Sequence, residues 1–391
     1  MKKILFNLLI ALILVQTASA KDYLVRSPEE FTAVIKKIGA GDAIVIANGT
    51  YNNWETTVAV SGTAKKHILI RAQTAGDVIF TGDVYHHIFL ITGSYIELQG
   101  FIFKGCNIFR KDGKDGVLVD FFNSKNARLT ACTFTGNTAK SQFMPIVIVS
   151  GYGEHNRVDN CSFIADVDNL EVQVKITKQD CPKYTLVDHN IFRDKPKVSW
   201  SLYNGGECVQ VGQDPILLGN MVPAAIVRDN KFIHCNGEPE VISNKSTGNR
   251  YIKNYFEDCG GELVLRGGHD CLVDSNTFNG GIGGIRISGT GHTITNNTIS
   301  NTKIAIRLMY GMAKGKLETG FYIAASNCVI NNNHIANAAF GILVGDNKNK
   351  NWAGKFDVNR YPSRTMQDIA PFDNAIANND FTHVEQEITY K

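Results

Sequence analysis

Glu238 and Glu240 stand two residues apart, Lys245 follows the second acid by five residues, and Arg266 follows Lys245 by twenty-one. Side chains alternate along a strand, so the two acids share one of its faces. Paired carboxylate oxygens suit a hard divalent cation such as calcium, which also takes amide oxygens. The polar tight turn Asn204-Gly-Gly-Glu207 lies upstream and can supply one. The expected calcium ligands are therefore Asn204, Glu238 and Glu240. Lys245 in its neutral form can accept a proton, and Arg266, always charged, can stabilise a departing oxygen.

These groups suit elimination better than hydrolysis. Glycoside hydrolysis normally places two carboxyl groups across the scissile bond, and no Asp-Asp pair occurs anywhere in the chain. A uronic acid, by contrast, can lose its C5 proton once its carboxylate is neutralised, because the carbanion then delocalises onto that group. A cation held by Asn204, Glu238 and Glu240 would neutralise it, Lys245 would be the base, and Arg266 would support the leaving O4. A non-catalytic scaffold that binds acidic glycans, and a hydrolase, are the other readings these residues leave open.

Groups so far apart in sequence meet only if the chain repeats, and it does. A unit of the form V/L-x-x-N-x-F/I recurs at Asn190, Asn230, Asn254, Asn276, Asn297, Asn333 and Asn379. Cys132-Thr-Phe134 and Cys161-Ser-Phe163 hold the same slot earlier, and Phe101-Ile-Phe103 opens the series. Central spacings of 24, 22 and 21 residues, three short β-branched runs per cycle and an asparagine at a bend predict an all-β fold: a single right-handed parallel β-helix. The asparagine is expected to accept a left-handed backbone and to bond to its copy one coil away. The Phe or Ile two residues on is expected to build the core.

Phased on those asparagines, Lys245, Arg266, Arg286 and Arg307 fall one per coil and are expected to face one groove. Stacked like charges repel, and an acidic polymer in the groove would offset this. Arg286, Arg307, Arg193, Tyr310 and His269 are the expected substrate contacts; Tyr310 and His269 are also the next candidates for the base. Two inserts, Leu308 to Asn327 and Gly345 to Phe372, carry aromatics and cations suited to groove walls.

At the start, Lys2 and Lys3, the apolar run Ile4 to Val15 and Ala18-Ser19-Ala20 read as a cleaved signal peptide over residues 1–20, with the β-helix over 21–391. Export to the periplasm or beyond follows, with no membrane anchor. Losing two of the 40 basic residues leaves 38 against 37 acidic ones, a balance that does not suit a nucleic-acid partner. Ser27-Pro28-Glu29-Glu30 followed by Phe31, Val34, Ile35 and Ile38 predicts one short α-helix capping the first coil. The nine cysteines read mainly as buried free thiols, with a Cys235–Cys259 disulfide as the minority reading.

The run from Asn204-Gly-Gly-Glu207 through Glu238-Pro-Glu240 and Asn244-Lys245-Ser246 to Leu265-Arg266-Gly267 resembles the active-site core of polysaccharide lyase family six, the alginate lyases and chondroitinase B. Gly41-Asp42-Ala-Ile-Val-Ile, Gly49-Thr-Tyr51 and Ile68-Leu-Ile-Arg71-Ala are similar to that family's opening coils. The resemblance implies calcium-assisted β-elimination with Lys245 as base and Arg266 as acid, and Glu238, Glu240 and Asn204 as ligands. The implied partner is an acidic polysaccharide, alginate first and dermatan sulfate second. The second β-helix domain of some relatives is not expected here, and a monomer is.

Overall fold

The computed structural model describes residues 20–216 and 219–391. The predicted leader lies outside the described residues except for Ala20. Thirteen parallel strands, from Asp22–Val25 to Ala375–Ala377, form one face of a solenoid. A second sheet of 23 strands bends to form the other two. The chain is a parallel β-helix, and the antiparallel pairs are two small hairpins, Arg110–Lys111 with Lys114–Asp115 and Lys350–Asn351 with Met366–Gln367.

Stacking identical positions explains why the repeat is legible. Phe103, Phe134, Phe163, Phe192, Phe232, Phe256 and Phe278 lie in register, their ring centroids 4.3 to 4.9 Å apart and their planes within 15°. Ile299, Ile335 and Phe381 continue the column. Beside it runs a buried amide ladder. Asn230 Oδ1 accepts from the backbone N–H and the Nδ2 of Asn190, both at 3.0 Å. The pattern repeats through Asn254, Asn276, Asn297, Asn333 and Asn379.

The bend differs from the expected left-handed asparagine. The left-handed residue is the one before each asparagine, as at Lys253 (φ 54°), Ser275 (57°) and Asn296 (56°). The asparagine turns inward instead and satisfies backbone groups that the corner would otherwise leave unpaired. Asn254→Ala would orphan the Asn230 N–H and the Val227 carbonyl. It is expected to cost about 1–3 kcal/mol for each group left unpaired, read as a fall in Tm, whereas Lys253→Ala at the neighbouring position is not.

The predicted helix is Pro28–Ile35, capped by Ser27, with Phe31 and Val34 buried. Phe31 packs on Trp54 and Phe89 at 6.0 and 6.4 Å, which closes the first coil. All nine cysteines are free, so the Cys235–Cys259 disulfide is not formed. Cys161 fills the asparagine slot, its N–H donating to Asn190 Oδ1 at 2.9 Å. Among the described residues, no helix is long and apolar enough to cross a membrane.

The third face carries the strands Leu170–Val174, Val209–Val211, Glu240–Lys245, Glu262–Gly267, Gly283–Ile287 and Ile304–Met309, stacked in that order. Its first coils include Asp120, whose carboxyl burial pushes up to about 6, although Lys175 and Ser150 pull it down. A carboxyl raised in the fold contributes stability below its unfolded value near 4, and this is lost as pH rises through about 6. Asp120→Asn is therefore expected to raise Tm at pH 8 and to leave it unchanged at pH 4.

Candidate active site

Two loops crossing at the corner before the third face build the acidic end of the site. A Cβ on Gly206 would come within 2.7 Å of the Gly237 carbonyl carbon, so only glycine allows the loops to touch there. The crossing sets Glu207 beside Glu238, and the Gly205 N–H donates to Glu238 Oε2 at 2.7 Å. Glu240 projects from the start of the next strand. One oxygen from each of Glu207, Glu238 and Glu240 lies within 4.8 Å of the others, and all three side chains are buried.

Glu207 was not among the expected ligands. Asn204 was, and it lines the open space next to the cluster while its carbonyl accepts from Gln142 Nε2 at 2.9 Å. The clustered carboxylate is thus three residues beyond the amide in the same quoted motif. Its signal was present in Asn204-Gly-Gly-Glu207, where the glycine pair marked a close backbone crossing rather than only a turn.

The cluster is under-compensated. Glu207 Oε2 and Glu238 Oε1 are buried with no hydrogen-bond partner. Burial, and then the charges of Glu207 and Glu240, push the Glu238 carboxyl well above the carboxylate range. Burial also pushes Glu240 up, but Arg266, Arg286 and Lys245 outweigh it and hold that carboxyl at about 2. Three hard oxygen donors with unsatisfied buried lone pairs fit a divalent cation such as calcium.

Lys245 ends the strand Glu240–Lys245, its side chain only 7% exposed and its Nζ 3.2 Å from Glu207 Oε1. Gln210 Nε2 holds the same oxygen at 2.7 Å and Gln173 Nε2 reaches Gln210 Oε1 at 2.6 Å, which fixes Glu207 from the far side. Arg266 lies on the next strand with Nη1 3.6 Å from Glu240 Oε1. Burial acts to neutralise it, but Tyr322 and the glutamates Glu240, Glu238 and Glu207 hold the guanidinium charged. Phe321 and Tyr322, brought in by the first insert, pack their rings 5.0 and 5.5 Å from its Cζ.

The cation column is only partly regular. Arg286 pairs in register with Arg307, but its partner on the preceding strand is Val264, and Lys245 pairs with Gly267. A bulge between Asn244 and Lys245 accounts for the offset at Lys245. Nor is a polymer needed to offset the repulsion. Glu240 takes Arg286 at 2.7 Å, Glu262 takes Arg286 at 3.7 Å and also binds Arg307, and Asp346 takes Arg307 at 3.0 Å.

Two clefts of about 490 and 450 Å³ open above these residues. The first holds Lys245, the second Arg286, Glu238 and Glu240, and Arg266 and Asn204 line both. Trp352, Lys355, Phe356, Arg360 and Tyr361 of the second insert form walls, as expected of that insert. Four expected substrate contacts line neither cleft. Arg307 is held by its two carboxylates. Tyr310 is buried with its hydroxyl on the Lys391 carbonyl. His269 is buried at the opposite corner, where its Nδ1 accepts from the Thr290 N–H. Arg193 lies on the phenylalanine face beside Asp194. Arg193 and His269 sit on other parts of the coil, which spacing alone did not resolve, whereas Arg307 keeps the register of the third face and is held by carboxylates.

The comparisons agree with this fold. The chain resembles a mannuronic acid-specific family 6 lyase from human gut microbiota at 25% identity, over 94% of this chain and 82% of that one, with a TM-score of 0.77. It superposes on the family 6 alginate lyase AlyGC at 24% identity and TM-score 0.75, covering 95% of this chain but 53% of that one. It also superposes on the family 6 polysaccharide lyase Pedsa3628 from Pseudopedobacter saltans at 22% identity and 0.69, over 92% and 84%. Among curated proteins, none matches the chain. The family model for chondroitinase B matches residues 25–390, and the chain therefore belongs to the chondroitinase B-like, family 6 polysaccharide lyases.

Proposed function

We propose that the protein is an alginate lyase that cleaves by β-elimination with the help of a calcium ion. The observation that carries this reading is the meeting of Lys245, Arg266 and the acidic cluster Glu207, Glu238 and Glu240 around adjoining clefts. Glu207, Glu238 and Glu240, with Asn204 beside them, would hold the ion, which when bound supplies positive charge to the uronate carboxylate. Lys245, in its neutral form, takes the C5 proton. Arg266, pinned by Glu240 and the Phe321 and Tyr322 rings, supports the negative charge that develops on O4 as the glycosidic bond breaks. The rest of the polymer meets cations: Lys175, Lys355 and Arg360 line the cleft that holds Lys245.

Alginate is favoured over dermatan sulfate by the likeness to the mannuronic acid-specific enzyme. The test is the ultraviolet absorbance of a newly formed unsaturated uronate, followed on polymannuronate, polyguluronate and dermatan sulfate in turn. Absorbance should rise on alginate, fastest on polymannuronate. A rise confined to dermatan sulfate would overturn the substrate assignment, and none on any of the three would overturn the lyase reading.

A further inference from the structure

Nearly every aromatic ring lining the two clefts already has a partner. Lys197 lies 3.4 Å over Tyr203, and Arg266 covers Phe321 and Tyr322. Phe356 stacks on Phe321 at 4.8 Å, Lys350 lies 4.6 Å over Trp352, and Arg360 lies 5.0 Å over Tyr361. Phe143 is the exception. It lines the cleft that holds Lys245 and Arg266 and is 46% exposed. Among the described residues, no ring or cation lies against its face.

Nothing in the packing of the core asks for a ring here; the next residue, Met144, fills that place and is fully buried. The backbone argues against one. Phe143 has a φ of 65°, a left-handed conformation that glycine and asparagine accept and bulky side chains resist. The loop is nevertheless held firmly. Gln142 Nε2 donates to the Asn204 carbonyl at 2.9 Å, and Arg110 Nη2 donates to the Gln142 carbonyl at 3.1 Å. The ring rests against Gly205, where a Cβ would approach Phe143 Cδ1 to 3.1 Å. Tyr95, Tyr184 and Tyr203 share that backbone conformation, so what sets Phe143 apart is an exposed apolar ring without a partner among the described residues, lining the cleft of Lys245 and Arg266 on a loop tied to the residues beside the acidic cluster.

We propose that Phe143 is a stacking platform for the apolar face of a hexuronate ring and sets the register of the bound chain against Lys245 and Arg266. This rests on the polyuronate reading above. The ring supplies the face contact that cations cannot, while Lys175, Lys355 and Arg360 on the same cleft meet the carboxylates at the sugar edges. Phe143 is a specificity residue; it moves no proton.

The test compares wild type with Phe143→Leu, Phe143→Asn and Phe143→Tyr. It measures kcat and KM on alginate oligosaccharides of increasing length, calorimetric Kd for polymannuronate oligosaccharides, and Tm. Leu and Asn should raise KM and Kd by roughly three- to tenfold, what one aromatic face contact is worth, with kcat within about twofold. Tyr should behave as wild type. Asn should keep or raise Tm, since asparagine suits the left-handed backbone. Unchanged KM and Kd in Leu and Asn would overturn the proposal, as would losses in all three variants that follow a fall in Tm. If the wild type binds the oligosaccharides without cleaving them, and Phe143→Asn weakens that binding, the platform stands and the lyase reading falls.

Discussion

Replacing Lys245 by alanine should lower turnover on alginate by about 10²–10⁴, the usual worth of a positioned general base, while KM stays within a few fold. The side chain is almost wholly enclosed, and among the described residues its Nζ is within ion-pair distance of Glu207 alone. Glu207 Oε1 keeps its bond from Gln210 but loses its buried cation, so Tm without calcium should fall, and turnover is compared at a temperature where both proteins are folded. Rapid-mixing or steady-state assays on one polymannuronate preparation check this directly. Near wild-type turnover in Lys245→Ala would place the base elsewhere. Neither Tyr310 nor His269 could then take over, because both lie outside the clefts with their polar atoms engaged.

The second large effect is expected from the metal. Excess chelator should abolish activity and added calcium should restore it, while the fold persists, because the phenylalanine and asparagine columns do not involve the acidic corner. Calcium should also raise Tm, since it would bind the folded cluster and not the unfolded chain. Glu207→Gln should weaken calcium affinity by more than about tenfold, because losing one charged contact costs upward of 1.4 kcal/mol. The same change removes a carboxylate whose Oε2 is buried without a partner, so Tm without calcium should hold or rise. Full activity in chelator would mean that the substrate carboxylate is neutralised by the protein's own cations, with Arg266 and Arg286 the nearest.

The solenoid was legible because stacking turns one local rule into a periodic one. Asparagine with Phe or Ile two residues on can recur seven times only if each copy meets the next, and the ladders from Asn190 to Asn379 and from Phe103 to Phe278 are those meetings. Residues bound to that frame were placed by counting: Glu240, Lys245 and Arg266 are separated by whole coils or sit on one strand. Residues outside the frame were not. Glu207 arrives through a loop that departs from the repeat, and its closeness to Glu238 depends on two glycines in contact. Arg307 kept the count but lies outside both clefts, where Glu262 and Asp346 hold it from other strands. Phe321 and Tyr322 belong to an insert, where no period announces that a ring will settle on Arg266.

Elimination and hydrolysis differ in their oxygen balance. Digestion of polymannuronate in heavy-oxygen water, followed by mass spectrometry of the oligosaccharides, gives the most direct answer. The geometry of Lys245 and Arg266 predicts, for each bond cleaved, one fragment that is unsaturated at its new non-reducing end and one water lighter than its hydrolysis counterpart, with no solvent oxygen introduced at the cleaved bond. Saturated products, with one heavy oxygen from solvent at the new reducing end for each bond cleaved, would contradict it.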